Sequence, residues 1–116
     1  MNTVGAMGEE MARKYMEEKG YHFLEKNFHS PWGEIDLIMQ NKEYLVFVEV
    51  KTRTDDTFAH SFEAVHIPKQ NRLIQTAFYY LSLHRSTKMK RFDVVGITLD
   101  TGKIEHVENA FLCGLR

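Results

Sequence analysis

A chain of 116 residues and 13.6 kDa fits one domain, and we expect residues 1–116 to fold as a single unit. Its 43% hydrophobic and 27% charged residues exclude a disordered chain, while a net charge of −1 does not indicate a nucleic-acid-binding domain, which is usually basic. The longest apolar run, residues 44–48, is too short to cross a bilayer, and the first residues lack the apolar stretch of a signal peptide. We therefore expect a cytoplasmic protein without a membrane partner. The single cysteine, Cys113, excludes an intrachain disulfide, and no paired histidine spacing favours a zinc site.

The first predicted element is a helix over residues 5–19, where apolar side chains recur at spacings of three and four. At about 100° per residue, Glu9 lies close to the inward stripe that contains Ala12 and Met16, whereas Glu10 points outward. Glu9 is therefore expected to face the body of the protein.

Strands and one further helix follow along the chain. Runs of apolar and β-branched residues predict strands over residues 21–27, 34–39, 43–52, 92–99 and 104–107. A polar loop over residues 53–65 leads to a helix over residues 68–84, with Pro68 in its first turn. The inward face of this helix is expected to carry Leu73, Ile74, Ala77, Phe78, Tyr80 and Leu81.

Charged residues interrupt two neighbouring strands that are otherwise apolar. They are Glu34, Asp36, Glu49 and Lys51. An ionised side chain removed from water costs on the order of several kcal/mol unless it is paired or binds a metal. This placement predicts a metal-dependent nuclease centre.

The hairpin between residues 34–39 and 43–52 determines whether these charges meet. If its loop is even in length and centred on residues 41–42, Asp36 pairs with Phe47 and Glu34 pairs with Glu49. Asp36 then lies diagonal to Glu49 at roughly 5–8 Å, and all four charged residues share one face. The opposite face is expected to carry Ile35, Leu37, Met39, Val46, Val48 and Val50.

Two carboxylates at that spacing can bind one Mg²⁺ or Mn²⁺, whose oxygen ligands lie at about 2.1 Å. The backbone carbonyl of Val50 offers another oxygen, and Lys51 can orient or deprotonate a metal-bound water or balance charge on a phosphate. The ordinary alternative is a salt bridge between Glu49 and Lys51 at a strand end, with Glu34 and Asp36 capping a turn.

Several motifs stand out along the chain: Gly8-Glu9-Glu10-Met11-Ala12, Asn27, residues 33–38, residues 47–53 and residues 91–95. Together they resemble the YraN family of predicted endonucleases. That family belongs to the PD-(D/E)XK nuclease superfamily and is similar to archaeal Holliday junction resolvases. The resemblance implies an α/β fold, in which helices flank a mixed central sheet with a restriction endonuclease-like α-β-β-β-α-β core, and Mg²⁺-dependent cleavage of phosphodiester bonds.

The resemblance also implies roles for individual residues. The metal-binding aspartate of the superfamily falls on Asp36, its Glu-X-Lys pair on Glu49 and Lys51, and its helical acid on Glu9. These four are the expected catalytic residues, and the expected metal ligands are the three acids and the Val50 carbonyl. The minimal motif of the superfamily assigns no role to Glu34, which can support the metal site, contact DNA or cap a turn. Asp93 is expected to be structural, because the fold places its early strand position far from the site.

The charges divide unequally along the chain. Residues 1–65 hold twelve Asp/Glu against seven Lys/Arg, whereas residues 66–116 hold four against eight, and no acid occurs between His66 and Phe92. A basic face beside an acidic pocket fits phosphate binding, although a solvated helix and loop would look the same. The expected nucleic-acid contacts are Arg53, Lys69 and Arg72, with a salt bridge to Asp55 or Asp56 as the alternative for Arg53.

Two hypotheses of function remain. The first is a DNA endonuclease selective for branched structures such as Holliday junctions, for which a homodimer is plausible by analogy. The second is a non-catalytic nucleic-acid-binding or protein-interaction module that retains a nuclease fold.

Overall fold

A computed structural model describes residues 3–55 and 65–111. Its elements are α1 (Thr3–Glu18), β1 (His22–Ser30), β2 (Gly33–Gln40), β3 (Tyr44–Arg53), α2 (Ile67–Leu83), β4 (Met89–Thr98) and β5 (Lys103–Val107). The predicted α/β fold, with its mixed sheet flanked by helices and its α-β-β-β-α-β order, is confirmed. Asp56, Cys113 and most of the predicted loop over residues 53–65 lie outside the described residues. Within the described ranges, no helix is long and apolar enough to span a membrane.

The five strands form one sheet in the order β1-β2-β3-β4-β5. Strands β3 and β4 run parallel, and every other neighbouring pair is antiparallel. A parallel pair requires a crossover connection, which α2 supplies. The parallel register places Val48 beside Asp93, so Asp93 lies in the first half of β4 as expected.

Each face of the sheet is covered by one helix. The core cluster on the α1 face consists of Ala12, Met16, Tyr21, Leu37, Met39, Val46, Val48, Val95 and Ile97. The cluster on the α2 face consists of Phe28, Ile35, Ile38, Leu45, Phe47, Leu73, Ala77, Tyr80 and Phe92. The sheet is therefore the middle layer of a three-layer sandwich.

Strand β1 changes the direction of its faces at Asn27. This residue has a φ of 50°, in the left-handed region that asparagine tolerates better than most side chains. The faces of β2 change at the same level of the sheet: Ile35, which pairs with Phe28, packs on the α2 face, whereas Leu37, which pairs with Lys26, packs on the α1 face. The prediction that Ile35 and Leu37 share a face is therefore wrong, because simple alternation does not continue through this kink.

The register of the β2–β3 hairpin differs by two residues from the predicted one. Ile38 pairs with Phe47, and Leu37 pairs with Val48, so the predicted partnerships of Asp36 with Phe47 and Glu34 with Glu49 are wrong. The side chain of Asn41 accepts hydrogen bonds from the backbone N–H groups that follow it, at 2.9 and 2.7 Å. An asparagine turn of this kind moves the centre of the hairpin along the chain. The loop remains even in length, as predicted.

Helix α2 buries a narrower face than its sequence pattern predicts. Leu73, Ala77 and Tyr80 are buried, and Ile74 packs beside them. Phe78, however, is 55% exposed, so its predicted place on the inward face is wrong. At 100° per residue Phe78 lies at the border of the apolar stripe, and a border residue packs inward only if the neighbouring layer reaches it.

Candidate active site

The candidate site lies where β2 and β3 separate. Their pairing ends at Leu37 and Val48, so Asp36 and Glu49 are the first residues beyond the last pair. At this point the backbone N–H of Val50 donates to Asp36 Oδ2 at 2.8 Å, instead of to a carbonyl of β2. The opening between the two strands, bounded by Asp36 and Glu49, is called the fork below. Because the N–H and C=O of one strand residue point to the same side, the Val50 carbonyl also faces the fork.

Helix α1 brings a further carboxylate to the fork. Oxygen atoms of Glu9, Glu34 and Asp36 all lie within 4.8 Å of one another, close enough to share one cation. Asn27 connects them, since its amide donates to Glu9 at 3.0 Å and to Glu34 at 3.4 Å. The kink in β1 therefore places the amide that orients Glu9. The predicted inward direction of Glu9 agrees with this contact, and Glu34 lies at the exposed edge of the group.

Close packing of α1 on β3 makes this approach possible. A Cβ atom added to Gly8 would lie 1.9 Å from Oγ1 of Thr52. Only glycine allows so short a distance between the helix and the strand. Because Gly8 immediately precedes Glu9, this contact determines how far the carboxylate of Glu9 reaches toward the fork.

Each acid at the fork disfavours the ionisation of its neighbour. Burial and the neighbouring carboxylate of Glu49 raise the pKa of Asp36 to about 9, against a lowering effect of the Val50 N–H. Two close carboxylates in a partly buried site cannot both ionise without a nearby positive charge. The site is therefore one in which a proton or a cation must be shared.

Glu49 is the more deeply buried of these two acids. It is 6% exposed, and its Oε2 atom is buried without a hydrogen bond of acceptable geometry. The ammonium of Lys69 lies 2.5 Å from that oxygen, which makes an ion pair between the first turn of α2 and β3. Lys69 was expected to contact DNA, and the structure places it on Glu49.

Lys51 points to the same side of β3 as Glu49, because the two are separated by one residue. Burial and the charge of Lys69 lower the pKa of Lys51, and the carboxylate of Glu49 opposes them. A lysine with a lowered pKa loses its proton more readily, as a general base must.

The other expected contacts differ in accessibility. The guanidinium of Arg53 donates to Oγ1 of Thr98 at 3.1 Å, and Arg53 is partly buried. Arg72 is exposed on α2, and its stem lies beside the turn at Gly33. A role for either in binding phosphate remains a prediction. The predicted basic face is divided, because Lys69 and Arg72 lie at the acids while the later bases lie toward the other end of α2.

Asp93 lies in a buried polar cluster on the α1 face. Its carboxylate accepts from the guanidinium of Arg91 twice at 2.8 Å, from the N–H of Asn109 at 3.0 Å, and contacts Nε2 of His106 at 2.7 Å. Burial alone would raise the pKa of Asp93, but these hydrogen bonds and the charge of Arg91 lower it. These contacts explain how a charged residue, Arg91, is accommodated in the buried part of β4. No fork residue contacts it among the described hydrogen bonds and ion pairs, in keeping with a structural role.

A hard divalent cation suits the donors at the fork. They are carboxylate oxygens and a backbone carbonyl, which Mg²⁺ and Mn²⁺ prefer. A cation would supply positive charge beside Asp36 and would take the place of Lys69 at the buried Oε2 atom of Glu49. The sequence analysis includes Gly8 and Asn27 among the motifs but assigns them no role, because their roles depend on contacts between distant segments.

Comparison with known proteins identifies relatives along nearly the whole chain. Residues 8–97 match a family described as "Uncharacterised protein family UPF0102". A UPF0102 protein of Thermodesulfovibrio yellowstonii is 44% identical over 108 residues, which cover 93% of this chain and 95% of the relative. A UPF0102 protein of Caldanaerobacter subterraneus is 42% identical over 115 residues, with 94% of each chain covered. One from Shewanella oneidensis is 40% identical over 109 residues, covering 94% of this chain and 99% of the relative. These names specify a family and not a reaction.

Proposed function

The chain belongs to the uncharacterised protein family UPF0102, the YraN family that its motifs resemble, and we propose that it is a metal-dependent endonuclease that hydrolyses phosphodiester bonds of DNA. The observation that carries this proposal is the meeting of acids from three elements at the fork. Glu9 comes from α1, Asp36 from β2 and Glu49 from β3. Such a concentration of negative charge in a partly buried site is costly unless a cation binds there.

The proposed metal is Mg²⁺ or Mn²⁺, held by Asp36, Glu49 and the Val50 carbonyl, with Glu9 assisting. When bound, it supplies positive charge that polarises a phosphate and lowers the pKa of a water. Asn27 keeps Glu9 directed at this position through its hydrogen bond at 3.0 Å.

Lys51 acts on the water that attacks the phosphate. Burial lowers the pKa of Lys51, which makes its amine a better proton acceptor than that of a lysine in water, and Lys51 lies on the same side of β3 as Glu49. In its charged form the same amine stabilises negative charge that develops on the phosphate.

Phosphates flanking the scissile bond are proposed to contact the bases around the fork. Arg53 and Arg72 carry permanent charge, and a guanidinium can donate two parallel hydrogen bonds to one phosphate. Lys69 is half exposed and is already anchored at the fork by Glu49, so it can turn from the carboxylate to a phosphate when a metal takes its place.

A cleavage assay tests the proposal. Junction, flap and single-stranded DNA are incubated with the protein in Mg²⁺ or Mn²⁺, and products are separated by size. We expect cleavage by the wild type and a loss of at least about a hundredfold in Asp36→Asn and Lys51→Ala, as is typical when a transition-state contact is removed. Glu43→Gln is the matched control, because Glu43 is an exposed acid in the β2–β3 turn. Cleavage that survives in Asp36→Asn would refute the assignment of the site.

One observation favours a second candidate, a non-catalytic module on a nuclease fold that binds nucleic acid or another protein. The ammonium of Lys69 lies against Glu49 and neutralises one of the acids without any metal. If this ion pair is permanent, DNA or partner binding will be independent of Mn²⁺ and unchanged in Glu49→Gln. Binding measured with and without Mn²⁺, for the wild type and for Glu49→Gln, therefore separates the two functions.

A further inference from the structure

A groove of about 840 Å³ opens at the C-terminal end of α2, away from the acids at the fork. It lies between that end of the helix, the loop that follows it and the neighbouring ends of β1, β2 and β3. No carboxylate is among its lining residues, which include Leu24, Phe78, His84, Arg85, Lys88 and Lys90.

Apolar side chains in the groove are unusually exposed. Phe78 is 55% exposed, and Leu24 is 39% exposed beside an irregularity in β1 that shifts the pairing between Phe23 and Glu25. Tyr80 and His84, whose rings lie 4.7 Å apart at an angle of 32°, also line the groove, although Tyr80 is buried. Together these side chains offer an apolar surface with no covering element among the described residues.

Cationic side chains surround this surface. The ammonium of Lys88 donates to the carbonyl of Asn41, and that of Lys90 donates to the carbonyl of Ser86, each at 2.6 Å. These hydrogen bonds hold both charges at the rim, while Arg85 is exposed. Glu25 acts electrostatically on the floor residue Tyr80 but is not a lining residue.

We propose that this groove binds an unpaired segment of nucleic acid, with bases against Phe78 and phosphates against Arg85 and the two lysines. Flat apolar rings beside a track of positive charge are the features that bind single strands without regard to sequence. A symmetric contact between two copies is disfavoured, because the same patch would face itself and bring like charges together.

The position of the groove specifies a substrate, and this step rests on the proposed function. Lys69 lies at the fork, and Phe78, nine residues further along α2, lies about 14 Å from it along the helix axis. At about 3.4 Å per stacked nucleotide, that distance corresponds to roughly four nucleotides. The substrate class is therefore DNA in which a single-stranded arm extends at least that far from the scissile bond.

Binding is tested without catalysis, by fluorescence anisotropy with a labelled oligothymidine of about 15 nucleotides in EDTA. Phe78→Ser and Arg85→Ser are each expected to weaken binding about tenfold, the effect of losing one stacked base or one charged contact. Leu83→Ser is the matched apolar control, since Leu83 is 57% exposed on α2 but outside the groove. Lys14→Ser is the charge control, because Lys14 is exposed on α1. Far-ultraviolet circular dichroism verifies that all four variants fold.

Unchanged affinity in Phe78→Ser and Arg85→Ser, or equal losses in the two controls, would overturn the proposal. So would a dimer in sedimentation analysis that Phe78→Ser converts to monomer, or capture of an acidic peptide in preference to the oligonucleotide. Shortening the arm of a flap substrate below about four nucleotides is expected to reduce cleavage by the wild type and not by Phe78→Ser. Groove binding without any cleavage would refute the proposed function alone, whereas cleavage without groove binding would refute this inference alone.

Discussion

Replacing Asp36 by asparagine is expected to stabilise the metal-free protein at neutral pH. The amide keeps an oxygen that accepts from the N–H of Val50, adds an N–H that can donate to Glu49, and carries no charge. The substitution therefore preserves the shape of the fork while removing the charge repulsion between its two acids.

The size of the effect follows from the pKa of Asp36, which rises from 3.8 to about 9 on folding. An acid with a raised pKa favours the folded state only while it is protonated, so folded stability falls as pH rises from about 4 toward 9. At pH 7, about three units above the pKa of Asp36 in the unfolded chain, ionisation stabilises the unfolded state by about 1.4 kcal/mol per unit, whereas Asp36 in the folded protein stays protonated. Because Asp36 is only partly buried and the site can relax, we expect a gain of about 2–4 kcal/mol in the variant, or roughly 8–16 °C in melting temperature.

Thermal unfolding followed by circular dichroism in EDTA measures this gain at about pH 4 and about pH 7. Asp36→Asn should melt with the wild type at the lower pH and well above it at the higher pH, and Glu43→Gln should follow the wild type at both. Addition of Mn²⁺ should raise the melting temperature of the wild type and leave Asp36→Asn unchanged. Equal melting temperatures at both pH values, or a variant less stable at pH 7, would refute the idea of repelling acids.

Three further changes have distinct expected results. Gly8→Ala should lower the free energy of unfolding, measured by urea denaturation, by about 1–3 kcal/mol, because the added methyl would lie 1.9 Å from Thr52 Oγ1. A stability equal to that of the wild type would contradict the close packing. Asp93→Asn should lower the free energy of unfolding by about 3–5 kcal/mol in the same assay, because the buried Arg91 loses its negative partner. A loss below about 1 kcal/mol would indicate that water reaches this cluster. Lys69→Met should tighten Mn²⁺ binding severalfold by freeing Glu49, as read from the shift in melting temperature with Mn²⁺ concentration; unchanged affinity would mean that the ion pair does not compete with the metal.

Much of the framework could be predicted because it depends on local pattern. Helical periodicity was enough to predict that Glu9 faces inward and Glu10 faces solvent. In the structure Glu9 is partly buried and accepts from Asn27, whereas Glu10 is exposed. The two acids of β2 and β3 come together because their hairpin has an even loop, although the turn lies further along the chain than expected. The side chain of Asn41, which bonds two backbone N–H groups, determines that position. Residue type alone does not reveal which of several turn geometries such an asparagine adopts.

The remaining features of the site depend on contacts between distant segments. Asn27 belongs to the motifs that carry the family resemblance, but the sequence does not show that it has a φ of 50° or that its amide donates to Glu9. Lys69 had the charge expected of a phosphate contact, but only the packing of α2 on the sheet brings it to Glu49. The exposure of Phe78 likewise depends on how far the neighbouring strands extend under the helix.

The most direct test of a metal centre at the fork is calorimetric titration of the protein with Mn²⁺. We expect saturable heat with the wild type and with Glu43→Gln, and none with Asp36→Asn, because Asp36 is the acid that contacts both Glu49 and the group formed with Glu9. Equal heat from wild type and Asp36→Asn, or no saturable heat from either, would contradict the proposed metal centre.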